Sequence, residues 1–181
     1  MDQSICYTVY YTWMGSPTGK LLLAADDAGL RHVIFADGRE SAQPREHWRE
    51  DPTPLRETIS QLRAWFAGEL RDFDLPLAPA GPEFHRRVWR ELAKVPYGET
   101  ISYGELARRI DAPNASRAVG RANGSNPIPI IIPCHRVIGS NGKLTGYGGG
   151  LPRKEFLLAL ERRQMSFPLD GKALLATTSG A

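Results

Sequence analysis

Cys134 carries the most chemical promise in this chain. It stands in the run Pro133-Cys134-His135-Arg136-Val137, with an imidazole and a guanidinium directly after the thiol. Positive neighbours of this kind favour the thiolate and lower a thiol pKa from about 8.5 towards 7 or below, giving a nucleophile near neutrality. The competing reading is a buried structural cysteine beside a surface histidine, because adjacent residues in an extended chain point to opposite sides. A metal fits less well: two cysteines and four scattered histidines do not supply the ligand set of a structural zinc site. Tyr103, just inside a helix start, is either a proton donor or a core aromatic. Arg117 and Arg121 lie four apart and share a helix face, as contact with phosphates or bases requires, although solvated arginines have the same spacing. Glu161, at the end of the last helix, reads in isolation as a solvated charge.

These side chains need elements to position them. Ile5 to Trp13, Lys20 to Ala25 and Leu30 to Phe35 are predicted as three strands of a meander, separated by Gly15-Ser16-Pro17-Thr18-Gly19 and Asp26-Asp27-Ala28-Gly29. Residues 36–52 read as polar and irregular. Thr53-Pro54 then offers an N-cap and a first-turn proline to a helix carrying Leu55, Ile59, Leu62 and Phe66, which Gly68 stops. Leu75 to Pro82 holds three prolines and a glycine, which places a domain boundary there. Beyond it, Phe84, Val88, Leu92 and Val95 share a helical face that ends before Pro96-Tyr97-Gly98. Ser102 and Glu105 form the capping-box pattern of a short helix through Ile110. Asp111-Ala112-Pro113-Asn114 breaks that helix and is expected to cap the next, which carries Ala115, Ala118, Val119 and Ala122. This makes a helix, tight turn, helix unit. The apolar run from Asn126 to Ile138, with Pro127, Pro129 and Pro133, is predicted to be a short buried strand. Pro152 starts a last helix carrying Phe156, Leu157 and Leu160, and residues 166–181 are expected to be a weakly ordered tail.

Taken together and in order, these features resemble the O6-alkylguanine-DNA alkyltransferase family, the methylated-DNA–protein-cysteine methyltransferases. Pro133-Cys134-His135-Arg136-Val137 is similar to the family's acceptor-cysteine signature. Ser102-Tyr103, Ser116-Arg117-Ala118-Val119-Gly120, Asn126-Pro127, Gly146-Tyr147 and Leu157-Leu158-Ala159-Leu160-Glu161 match further family elements over residues 82–163. The resemblance implies an α/β (α+β) chain. Residues 1–78 would form a small ribonuclease-H-like β-meander with a helix, and residues 79–165 a helical, winged-helix-like DNA-binding domain with a helix-turn-helix. It implies repair by irreversible, single-turnover transfer of an alkyl group from O6-alkylguanine, and from O4-alkylthymine, to Cys134 after nucleotide flipping. In that scheme His135 is a general base acting through a water, Glu161 orients it, Asn126 supports the thiolate and its turn, and Tyr103 donates a proton to guanine N3. Arg117 replaces the flipped base in the minor groove, with Ala115, Ser116, Ala118, Gly120 and Arg121 along the same DNA-binding helix. Asn123, Val137, Tyr147 and Gly148 line the base pocket, with main-chain groups of Cys134 and Val137 and the loop around Tyr147 and Gly148 against the base edges. Asn123 and Gly148 differ from the apolar residue and serine of mammalian relatives, which bears on tolerance of bulky alkyl groups.

The whole chain is consistent with this reading. It has 181 residues, and 23 Lys and Arg against 20 Asp and Glu leave a net charge of +3, enough for sequence-indifferent scanning of DNA and too little to diagnose it. Hydrophobic residues at 41% exclude a wholly disordered chain. Neither an export signal nor a membrane span is expected, and two distant cysteines argue against a disulfide framework, so the expected setting is the reducing cytoplasm. The protein is expected to need no cofactor or metal and to act as a monomer on double-stranded DNA, with cooperative loading left open. Three rivals remain: a damage-flagging protein that flips without repairing, a cysteine hydrolase built on Cys134, His135 and Glu161, and a plain DNA-binding regulator.

Overall fold

The computed structural model describes residues 8–37 and 42–166. Its first element is an antiparallel meander of β1 (Tyr10–Ser16), β2 (Gly19–Asp26) and β3 (Gly29–Phe35). The strands are longer than predicted at their turns. Ser16 pairs with Gly19 and Asp26 with Gly29, so only Pro17-Thr18 and Asp27-Ala28 lie between strands. Two-residue hairpins keep the right-handed twist of the ladder and use residues that look like loop in sequence. Gly29 has φ +127, and a Cβ on it would lie 2.3 Å from the Pro76 carbonyl oxygen, so no other residue fits there. A fourth strand, β4 (Arg49–Glu50), joins β1 in parallel within the region expected to be irregular, giving the order β3-β2-β1-β4. Two exposed charged residues carry no strand periodicity, which is why the pairing is invisible in sequence.

The sheet is covered on both faces. Leu21, Leu23 and Ala25 enter the main core, whereas Leu22 and Ala24 pack with Ala42 and Trp48, which explains the unbroken apolar run of β2. α1 (Arg56–Ala67) follows a short 3-10 turn at Thr53–Leu55. Thr53 is not its cap: the Asp51 carboxylate instead accepts the Thr53 N–H at 2.8 Å. Gly68 ends the helix in the left-handed region, as expected. The indole of Trp65 is buried and meets Phe73, Tyr97 and His135 with ring centroids 6.1–6.3 Å apart. The proline-rich segment after α1 runs along β3, where Leu30 N–H donates to Pro76 and Ala78 N–H donates to Leu30. One hydrophobic cluster is therefore continuous from Met14 to Leu157.

The second half is mostly helical: α2 (Glu83–Leu92), α3 (Tyr103–Arg109), α4 (Ser116–Gly124) and α5 (Leu151–Ser166). Two short parallel strands, β5 (Ile101–Ser102) and β6 (Val137–Ile138), bring the start of α3 beside the chain that follows Cys134. Ser102 caps α3 by accepting the Glu105 N–H at 3.0 Å, but the Glu105 carboxylate pairs with Arg108 and Arg109, so only half of the capping box forms. α4 starts at Ala115 with no side-chain cap, contrary to the cap expected from residues 111–114. The apolar run before Cys134 is buried as predicted, yet it is not a strand. Its prolines cannot donate to a ladder, Ile130 takes φ +76, and Ile132 N–H closes back on Ile128. On α5, Leu157 and Leu158 are buried while Phe156 is 39% exposed and lies off the core face. Residues 167–181, Ile5 and Cys6 lie outside the described residues. Among the described residues no helix is long and apolar enough to cross a membrane.

Candidate functional site

A single 3-10 turn, Cys134–Arg136, arranges the chemistry. With about three residues per turn, successive side chains diverge by about a third of a circle and do not alternate as in a strand. Cys134 thus lines an open cleft while His135 and Arg136 enter the interior and meet Glu161 of α5. His135 Nε2 lies 2.9 Å from Glu161 Oε1. Arg136 Nε is 3.1 Å from both carboxylate oxygens, its Nη2 is 2.8 Å from Oε1, and the Gly98 N–H reaches Oε2 at 3.0 Å. Glu161 is fully buried, so its sequence reading as a solvated charge is wrong. Burial opposes its ionisation, but the hydrogen bonds and charges of His135 and Arg136 outweigh burial and hold its carboxyl below the usual value.

An ionised Glu161 can only accept, so His135 Nε2 carries a hydrogen and Nδ1 of the neutral ring is the acceptor. Nδ1 is buried and has no hydrogen-bond partner among the described residues. Burial lowers the His135 pKa against the pull of Glu161, which keeps the ring neutral and basic. The thiol departs from expectation. Burial pushes Cys134 up to about 11, although hydrogen bonding from Asn126 and the charge of Lys154 favour the thiolate. Arg136, read from sequence as an activating neighbour, is occupied by Glu161 and by the Val95 carbonyl at 2.5 Å. This thiol needs a base.

Asn126 stitches the turn before Cys134: its Nδ2 donates to Ile132 at 2.8 Å and its Oδ1 accepts from Ile128 at 3.0 Å. Tyr103, the first residue of α3, donates to the Thr145 carbonyl at 3.2 Å. Burial and the nearby Cys134 raise its pKa, so it stays protonated. Lys154 is the functional residue that sequence reasoning missed. It is fully buried on α5, and its Nζ donates to Val137 at 2.5 Å and Thr145 at 2.7 Å, tying the loop that meets Tyr103 to β6. Burial lowers its pKa to about 8. Its helical spacing with Leu157 and Glu161 was the available signal, since all three occupy one face.

The cleft holds about 500 Å3 and is lined by Cys134, Asn123, Asn126, Tyr147 and Gly148, with Val33 to Phe35 of β3 forming the opposite wall. Of the expected pocket residues, Val137 is not brought into it. Its side chain is buried, its N–H donates to Cys134 and its carbonyl is taken by Lys154. Gly149 sits where a Cβ would lie 2.8–2.9 Å from both Phe35 and Tyr147. Gly149→Ala is therefore expected to lower stability by about 1–3 kcal/mol through overpacking. A thermal melt checks this, at roughly 2–4 °C of Tm per kcal/mol. An unchanged melt excludes the crowding.

The helix-turn-helix presents a separate surface. Arg117 and Arg121 are exposed on α4 and line a shallow groove with Ala115, Ser116 and Ala118. Gly120 lies on the side of α4 towards the Tyr103 ring, where a Cβ would sit at an ordinary contact distance of 3.7 Å. Among the described residues, no three His, Cys, Asp or Glu side chains are grouped as a metal ion would need.

Comparison with known proteins agrees with this geometry. Residues 9–79 match the 6-O-methylguanine DNA methyltransferase ribonuclease-like domain, and residues 83–163 match the DNA-binding domain of the same family. A methylated-DNA–protein-cysteine methyltransferase of Methanosarcina acetivorans is 55% identical over 84% of this chain and 98% of its own length. One of Mycolicibacterium paratuberculosis is also 55% identical, over 86% of this chain and 93% of its own. A crystal structure of Mycobacterium tuberculosis OGT in complex with DNA superposes with a TM-score of 0.80 at 50% identity, covering 86% of this chain and 94% of that one. With both halves matched in order and an acceptor-type cysteine backed by histidine and glutamate, the chain belongs to the 6-O-methylguanine DNA methyltransferase family.

Proposed function

We propose that Cys134 is the permanent acceptor of an alkyl group taken from O6-alkylguanine in double-stranded DNA. The observation that carries this reading is a cleft-lining thiol beside a buried His135–Glu161 pair held at 2.9 Å. His135 Nδ1 takes the thiol proton through a water, and Glu161, itself held in place by Arg136, steadies the ring as it becomes charged. The thiolate displaces the alkyl carbon: the new S–C bond forms as the C–O6 bond breaks, and the electron pair leaves with guanine. Tyr103, kept protonated by burial, donates to guanine N3 and neutralises the leaving base. The carbon is bound by a stable thioether, so each molecule acts once. O4-alkylthymine is a second substrate of the same chemistry.

An alkylated base inside a duplex is out of reach, so the nucleotide is extruded at a cost of a few kcal/mol. The exposed Arg117 of α4 fills the vacated stack from the minor groove, with Arg121 and Ser116 on phosphates. The protein works as a monomer on DNA, which is the partner held by its Mycobacterium tuberculosis relative.

Intact-mass measurement after incubation with a duplex carrying one O6-methylguanine tests the proposal. The expected result is one methyl adduct per protein, mapped to Cys134 and absent from Cys134→Ala. Unchanged mass with selective binding of the lesion makes the protein a damage-recognition module. Repeated turnover of an ester or amide makes it a hydrolase, and tight binding of undamaged sites regardless of Cys134 makes it a regulator.

A further inference from the structure

Every group given a role in the transfer lies between Tyr103 and Glu161, yet His135 is packed against the other half of the chain. Trp65 of α1 belongs to residues 9–79, the ribonuclease-like match, and its indole meets the imidazole with ring centroids 6.3 Å apart and planes inclined by 73°. Both side chains are fully buried. Phe66 meets the same indole edge-on at 5.1 Å, Phe73 stacks on it at 6.1 Å and Tyr97 meets it edge-on at 6.1 Å, so the indole is held from several sides. Its Nε1–H has no hydrogen-bond partner among the described residues, although a buried indole usually finds one. What the indole supplies at this position is therefore bulk.

That bulk bears on the base. The contact of Nε2 with Glu161 ties down one side of the imidazole, but a hydrogen bond tolerates a wide range of angles, and the ring can still rock about its Cβ–Cγ bond. The indole limits that motion and keeps water from the ring. The charges that act on His135 are those of Glu161 and Lys154 on α5 and of Arg136 beside it. Tyr97, with Arg71 and Arg136 over its ring, packs on the indole, and α1 meets the imidazole through Trp65. Burial is the largest influence on His135 and lowers its pKa against the pull of Glu161.

We propose that Trp65 is a positioning residue for the alkyl transfer: its indole walls His135 off from water and holds the imidazole in the orientation that its contact with Glu161 sets. This rests on the reading of His135 as the base in the proposed function. A smaller side chain at position 65 leaves a space beside a polar ring, which water enters. The wetted imidazole is protonated more easily, and in that form it cannot take the thiol proton.

The test follows single-turnover methyl transfer from a saturating O6-methylguanine duplex between pH 5 and 9 in the wild type, Trp65→Phe and Trp65→Leu, with rates expressed per active molecule. The acid limb is expected to move to higher pH from wild type to Phe to Leu. On that limb the rate falls about threefold in Trp65→Phe and about tenfold in Trp65→Leu, tenfold corresponding to one unit of pH. Duplex affinity is expected to hold, because Trp65 lines neither the cleft nor the α4 groove. A merely structural role would lower the Tm and the active fraction and leave the limb in place. NMR titration of isotope-labelled histidine rings, with the His135 signal identified by its absence from His135→Gln, reads the same displacement without the reaction. An acid limb that coincides with the wild type in either folded variant overturns the assignment. A displaced His135 titration with no methyl transfer by the wild type would instead overturn the proposed function and leave Trp65 as the residue that governs His135.

Discussion

Replacing His135 by glutamine lowers single-turnover methyl transfer at pH 8 by about three orders of magnitude and makes the remaining rate climb about tenfold per pH unit. The thiol is buried and titrates at about 11, so at pH 8 only about one Cys134 in a thousand is ionised without help. In the wild type, neutral His135 removes the proton as the reaction proceeds. Burial places its pKa below the ordinary 6.5, and a base must be unprotonated to act. The wild-type rate therefore stays level from pH 8 to about 6.5 and falls only as the pH drops through the lowered histidine value. In the glutamine variant hydroxide must generate the thiolate, so log rate against pH has a slope near one up to about 11. Rapid-quench measurement of methyl transfer across this range decides the matter. A level profile in the variant would mean that His135 is not the base and that another group, with Lys154 a candidate through its charge on Cys134, ionises the thiol.

Parts of this site are legible in sequence and parts are not, for physical reasons. Cys134 and His135 stand out because both residue types are rare and lie side by side, and the ordered motifs from Ser102 to Glu161 assign roles that no single spacing supports. The meander is legible because its apolar runs are long, whereas β4 is two charged residues recognised only through pairing with β1. The conformation of the acceptor segment is missed for a different reason. An apolar run with prolines suits an extended chain, but the 3-10 turn after Pro133 is what sends three consecutive side chains to different places. The electrostatics of the thiol are misread as a result. Adjacency in sequence suggests that Arg136 activates Cys134, while in three dimensions the guanidinium holds the carboxylate that orients the base. Lys154 stays hidden because a lysine on a terminal helix is ordinarily solvated.

Glu161→Gln is expected to destabilise the protein by about 3–5 kcal/mol at pH 7, because it leaves the Arg136 guanidinium buried without its counterion. That is a large part of the roughly 5–15 kcal/mol available to a domain, and corresponds to a Tm fall of roughly 6–20 °C. The sign of the pH dependence follows from the carboxyl. Its folded pKa is below the ordinary value, so the stability it contributes is complete above about 4.5 and is lost as pH falls through the folded value. The gap between wild type and variant should accordingly be constant from pH 5 to 8 and narrow in more acidic buffer. A second substitution separates the ion pair from its surroundings. Arg136→Met alone strands Glu161 beside His135 and should cost a similar amount, whereas combining it with Glu161→Gln removes both buried charges and should recover stability relative to either single variant. Strict additivity of the two losses in urea melts would mean that the charges do not act on each other across their 2.8 Å contact, and that Glu161 is held by His135 and the Gly98 amide alone. Recovery in the double variant without recovery of methyl transfer would assign the pair its purpose: the buried charges cost stability, and what they supply is the orientation of His135.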